Sequence, residues 1–96
     1  MKQYKITENN ITYDIEEFRG AKYCRLNDLY HRENGPACEF ADKSKFWYKN
    51  GQLHRDDGPA CEYSGGVKDY WYDGEYLPHV NSNEELKQYI KLLTIS

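Results

Sequence analysis

The sequence is poor in the residues that build aliphatic cores. Leu, Ile, Val and Phe together number 17 of 96. A share that low signals disorder when it is joined to high net charge, but net charge here is only −3. No apolar run approaches the roughly 18 residues needed to span a membrane. Met1-Lys2-Gln3-Tyr4-Lys5-Ile6 has no apolar leader core. Cysteine is scarce and odd in number, three, which fits a reducing compartment better than a disulfide framework. The expectation is a cytoplasmic chain without a membrane partner. A basic stripe is also missing: residues 31–75 hold six Lys or Arg against nine Asp or Glu. Direct nucleic-acid binding is therefore not expected. No phosphate-cradling loop, nucleophile elbow or metal motif is present, so no catalytic residue, metal or cofactor is assigned.

What the chain has instead is tyrosine and repetition. Aromatics are 16% of the residues, and ten are Tyr. Tyr buries a large ring while keeping a polar handle, so a thin Tyr-built core is expected at this length. His31-Arg32-Glu33-Asn34-Gly35-Pro36-Ala37-Cys38-Glu39-Phe40 returns as His54-Arg55-Asp56-Asp57-Gly58-Pro59-Ala60-Cys61-Glu62-Tyr63, 23 residues later. Periods of roughly 20 to 50 residues mark stacked-repeat architectures. Asn27-Asp28, Asn50-Gly51 and Asp73-Gly74 fall at the same interval. Such pairs signal two-residue hairpins, whose central positions need φ > 0.

The fold class that follows is mainly β (α+β): an antiparallel β-hairpin repeat meander of 23-residue units with one C-terminal α-helix. Residues 1–96 read as one domain. Residues 1–22 form an N-terminal hairpin cap, 23–77 three hairpin repeats with degenerate outer units, and 78–96 a linker and helix. Strands are expected at 3–7, 11–18, 21–26, 45–49, 52–55, 60–63 and 67–72. Ser82-Asn83-Glu84-Glu85 has the capping-box pattern. Leu86, Tyr89, Ile90 and Leu93 then recur on one helical face, predicting a helix over 83–94.

Hairpin register at Asn50-Gly51 pairs Tyr48 with Leu53 and Trp47 with His54. If the next turn pairs Leu53 with Cys61, then Tyr48, Leu53, Cys61 and Tyr63 share a core face. Trp47, Gln52, His54, Ala60 and Glu62 share the outward face, joined through the repeat by Cys24, His31, Ala37, Glu39, Tyr70, Tyr72 and Leu77.

Trp47-Tyr48-Lys49-Asn50-Gly51-Gln52-Leu53-His54, followed by Gly58, resembles a MORN-type repeat. The resemblance covers about residues 23–77. The chain is more similar to the His-Arg-x-x-Gly-Pro-Ala variant of small bacterial and phage proteins. It implies an elongated sheet of hairpins acting as an interaction module. By analogy with small phage or mobile-element proteins, it implies an inhibitor of a host protein, such as a defence enzyme or nuclease complex.

Cys38 and Cys61, with His31 and His54, look like metal ligands at first sight. Equivalent positions in adjacent two-strand repeats are two strand spacings apart, about 9–10 Å. That is too far for one zinc ion or for a disulfide. Arg32 and Arg55 are expected to pair with Glu33, Asp56 and Asp57 around the turns. A His copied once per repeat reads as a turn support rather than a catalyst. The expected function is therefore non-enzymatic protein binding through Trp47, His54, His31, Arg32, Arg55, Tyr70, Tyr72 and Glu62. Open sheet edges also make a homodimer an expected alternative assembly. The rival reading is a small-ligand binder or minor enzyme using His31, His54 and nearby carboxylates.

Overall fold

The computed structural model describes residues 1–95. It is an antiparallel hairpin sheet followed by one helix. β1 (Lys2–Glu8), β2 (Ile11–Phe18) and β3 (Ala21–Leu26) are long strands, and β4 (Leu29–Tyr30) folds back on β3. β5 (Cys38–Glu39), β6 (Lys45–Phe46), β9 (Cys61–Glu62) and β10 (Lys68–Asp69) extend the main sheet in the order β1-β2-β3-β5-β6-β9-β10. β7 (Tyr48–Lys49) pairs with β8 (Gln52–Leu53), and β11 (Trp71–Tyr72) with β12 (Glu75–Tyr76). The expected turns are tight and left-handed: Asn27 and Asp28 have φ of 53° and 67°, Asn50 and Gly51 51° and 81°, Asp73 and Gly74 50° and 80°. Asn, Asp and Gly tolerate that region with least cost.

The expected 45–49 strand breaks at Trp47, and the reason lies in its two backbone groups. The Trp47 N–H donates to Ala60 C=O at 2.8 Å, inside the main sheet, while its C=O accepts from the His54 N–H at 3.0 Å, inside the small hairpin. One residue thus belongs to two sheets, and the strand leaves the plane there. Cys24 makes the equivalent bonds with Ala37 and His31, at 2.7 and 3.2 Å, but within the unbroken β3 and a single sheet. The Tyr70 C=O accepts from the Leu77 N–H at 2.9 Å. The carbonyl half of this arrangement recurs every 23 residues, at Cys24, Trp47 and Tyr70. The expected pairing of Leu53 with Cys61 is therefore wrong: Cys61 pairs with Phe46, and Leu53 with Tyr48.

The break also overturns the outward face. Cys24, His31, Ala37, Ala60, Tyr70 and Leu77 were expected outside but are buried, with Ala60 fully so. Tyr63, expected in the core, is exposed. Once each strand bends at its joint, the small hairpin folds over the row that a flat meander would leave open. Two apolar clusters result. Tyr13, Ile15, Cys24 and Ala37 form one, with Tyr4, Ile6 and Tyr48 around them. Tyr70, Leu77 and Leu86 form the other, with Tyr72, Tyr89 and Ile90. On the opposite face the rings of Tyr30, Tyr23, Phe40, Phe46 and Tyr63 follow one another at 5.3–6.0 Å. Tyr30 and Tyr23 stack and the other three contacts are edge-to-face; pairs of either kind add about 0.5–1.5 kcal/mol beyond burial.

Strand register also lines up one row of charge. Lys2, Glu17, Lys22, Glu39, Lys45, Glu62 and Lys68 are successive cross-strand partners across the whole sheet. Opposite charges facing across strands stabilise by roughly 0.2–1 kcal/mol per pair. The repeat generates the row, since Lys22, Lys45 and Lys68 are 23 apart, as are Glu39 and Glu62.

The helix α1 spans Asn83–Ile95. The Glu85 N–H donates to Ser82 Oγ at 3.2 Å, and Glu85 Oε1 accepts from the Asn81 N–H at 3.2 Å, so the expected cap is formed. Leu86 is fully buried, Tyr89 and Ile90 half-buried, and Leu93 is 47% exposed near the far end. The Tyr70 hydroxyl donates to Asn83 Oδ1 at 2.9 Å and ties the helix start to the sheet.

Candidate interaction site

Each repeated phrase is a loop between a small hairpin and the next main-sheet strand, and its residues have mechanical roles. His31 Nδ1 accepts the backbone N–H of Asn50 at 2.9 Å; His54 Nδ1 accepts that of Asp73 at 2.9 Å. Each imidazole thus holds the first turn residue of the following hairpin. An accepting Nδ1 puts the ring proton on Nε2, and His31 Nε2 donates to the Glu33 carboxylate. Asp73 Oδ1 also lies 3.0 Å from His54 Nδ1. The Asp73 N–H is the donor to that nitrogen, as the Asn50 N–H is to His31.

The arginines lock the loops. Arg55 Nη1 donates to Pro59 C=O at 3.0 Å and to Glu62 at 2.9 Å, while its Nε donates to Asp57 at 2.9 Å. Its guanidinium lies 3.8 Å from the centre of the Trp47 ring, an arrangement worth about 0.5–2 kcal/mol. Gly58 permits this approach, because a Cβ there would stand 2.9 Å from the Arg55 Cζ. Arg32 donates to Pro36 C=O at 3.4 Å but turns to Glu8, with Nη2 to Oε2 at 2.8 Å and Nε to Oε1 at 3.1 Å. The hydrogen bonds from Arg32 hold the Glu8 carboxyl below its usual range. The expected Arg55–Asp57 pair therefore forms, whereas Arg32 is bonded to the N-terminal hairpin rather than to Glu33.

Between the two phrases lies an open cleft of about 420 Å³. Arg32, Trp47, His54 and Arg55, four of the eight residues named from the sequence, line it, with Lys49, Glu33, Asn34, Asp56 and Asp57 among the others. The other four expected residues stand elsewhere. His31 is buried and Tyr70 is in the helix cluster, which corrects their outward assignment. Glu62 is bonded to Arg55, and Tyr72 packs against His54 at 4.5 Å. Lys49, Asp56 and Asp57 were missed as lining residues. The period held the signal, because the concave surface of a repeat array falls between equivalent loops.

The thiols have no place in this cleft. Burial pushes Cys38 up to about 12, and Cys24 and Cys61 up to about 11. All three are free, and β6 separates Cys38 from Cys61. Among the described residues no group of three or more His, Cys, Asp or Glu converges as a metal site, and no helix is long and apolar enough to cross a membrane. No protein-family model, curated protein or solved structure matches this chain.

Proposed function

We propose that the chain is a non-enzymatic interaction module whose cleft between the two arginine loops receives a protein partner. The observation that carries this reading is the employment of the repeated histidines and arginines. His31 and His54 spend Nδ1 on backbone N–H groups, and Arg32 and Arg55 spend their donors on carboxylates and proline carbonyls. A general base needs a free lone pair within reach of a substrate proton, and here that lone pair supports a turn. What the cleft offers a partner is a locked Trp47–Arg55 pair with charges of both signs around it. Trp and Arg are favoured interface anchors, and rigid ones lose little entropy on binding. The likeness to small phage proteins extends the proposal to a host protein as the partner, which this chain would inhibit by occupying its surface.

The test is capture from a candidate host lysate with the full chain as bait, followed by calorimetry on the partner recovered. Trp47→Ala should weaken binding by about 2 kcal/mol or more. Lys49→Glu changes an exposed cleft residue, and should weaken binding with the melting temperature unchanged. Full binding by both folded variants would place the partner on another surface and defeat the proposal.

A further inference from the structure

The main sheet ends at β1 on one side and at β10 on the other. β10 has two residues, too few to template another strand. β1 has seven, contains no proline, and pairs with β2 at seven consecutive positions. Asn9 and Asn10, with φ of 49° and 67°, close that hairpin in two residues. Glu8 and Ile11 are then the hydrogen-bonded closing pair, and alternation assigns the N–H and C=O of residues 2, 4, 6 and 8 to β2. The backbone groups of Gln3, Lys5 and Thr7 point to the open side, and all three side chains are exposed. A free row of this kind accepts an added strand.

Charge narrows what that strand can be. Lys2 is the outer end of the alternating row, so the next member is acidic. On the other face Lys5 is bonded to Asp14. The inner neighbour of β1 illustrates its preference: Tyr13-Asp14-Ile15-Glu16-Glu17, apolar residues interleaved with acidic ones. A second copy is the competing occupant: full-length antiparallel self-pairing sets Lys2 opposite Glu8 at both ends, which favours it, and Lys5 opposite Lys5 at the centre, which opposes it. Lysine on an open edge is a recognised guard against self-pairing.

We propose that β1 is a docking edge for an extended strand of another protein, antiparallel to Lys2–Glu8, in which apolar and acidic residues alternate. The edge touches the cleft through Glu8, which is bonded to the cleft's Arg32, but its open backbone groups lie at residues 3, 5 and 7 and the proposal does not depend on the cleft.

The probe is a labelled synthetic octapeptide with the sequence of β2, compared with one in which its three carboxylates are replaced by lysine. Anisotropy titration of the full chain should give about ten-fold tighter binding of the acidic peptide. Amide exchange at Gln3, Lys5 and Thr7 should slow on binding. Lys5→Pro removes an outward N–H that makes no bond to β2, a substitution edge strands tolerate. It should keep the melting temperature and lose peptide binding. Lys2→Glu with Lys5→Glu should reverse the preference toward the lysine peptide. Four results would overturn the proposal: no binding at about 1 mM, a ceiling near −4 kcal/mol; equal binding of the two peptides; protection outside residues 3, 5 and 7; or dimerisation through β1 in sedimentation.

Discussion

His31→Phe isolates the contact on which the repeat mechanics turn. His31 is 5% exposed, and its ring lies 6.3 Å from that of Tyr13. Phenylalanine keeps the ring in place but offers no acceptor to the Asn50 N–H, now bonded at 2.9 Å. A donor left unsatisfied costs about 1–3 kcal/mol. Glu33 loses its partner too, but its side chain is 46% exposed, so water replaces most of that interaction and the loss stays under about 1 kcal/mol. The expected total is about 2–3 kcal/mol, or roughly 10–20 °C in melting temperature for a domain of this size. His54→Phe is the internal comparison. The Asp73 side chain beside its ring is 68% exposed, so the freed N–H can reach water and the cost should fall to about 1 kcal/mol. Urea titration of both variants gives the two values, and amide exchange at Asn50 locates the first. The reasoning fails if His31→Phe melts like the parent with Asn50 exchange unaltered, or if the two variants rank the other way.

Gly58→Ala should displace the Arg55 guanidinium from Trp47, costing about 1–3 kcal/mol and changing Trp fluorescence. Gly35→Ala, where the nearest Arg32 atom stands 3.5 Å from the new Cβ, should stay within about 0.5 kcal/mol in the same urea titration. Leu86→Ala removes the one fully buried helix side chain and should cost about 2–5 kcal/mol, whereas Ser82→Ala at the cap should cost about 0.5–2 kcal/mol; calorimetry separates them. Alkaline pH should destabilise the fold through the thiols. Burial raises Cys38 from its ordinary 9.0 to about 12, so above pH 9 the unfolded chain loses its proton first. Stability is then intact below about 9 and falls as pH rises toward 12. Cys38→Ala should flatten that slope when unfolding is followed by circular dichroism across the range.

The turns and the helix were readable because their signals are local. Asn50-Gly51 and Asp73-Gly74 announce their own backbone conformation, and Ser82 with Glu85 announces a cap. The joint at Trp47 has no such signature. Cys24, Trp47 and Tyr70 share a repeat position and a carbonyl that accepts from the residue seven places on, yet one is a thiol and two are aromatics, because the bond is made by backbone groups. Register arithmetic groups Trp47 with His54 and Ala60 correctly, but it carries no knowledge of what folds over that group. The small size of Ala37 and Ala60 is the one residue-level clue that their face is covered. The cleft inherits the same limit. Arg55 over Trp47 depends on the bend, whereas Arg32 reaching Glu8 depends on a strand 24 residues away.

The histidine clip has a direction: each histidine offers its ring acceptor to the unit that follows, His31 to Asn50 and His54 to Asp73. Position 77, where a third clip would stand, carries leucine and faces the helix cluster instead. A unit ending in histidine is an invitation to continue, and one ending in leucine is a full stop. Duplicating the stretch from His31 to Leu53 would insert a unit complete with its joint, its arginine lock and its own clip, while Leu77 and the helix still ended the series. Nearest-neighbour arrays tolerate growth of this kind. Each added unit would bring another cleft, so the number of clefts is open to change by copying alone, with no new contact invented at either end.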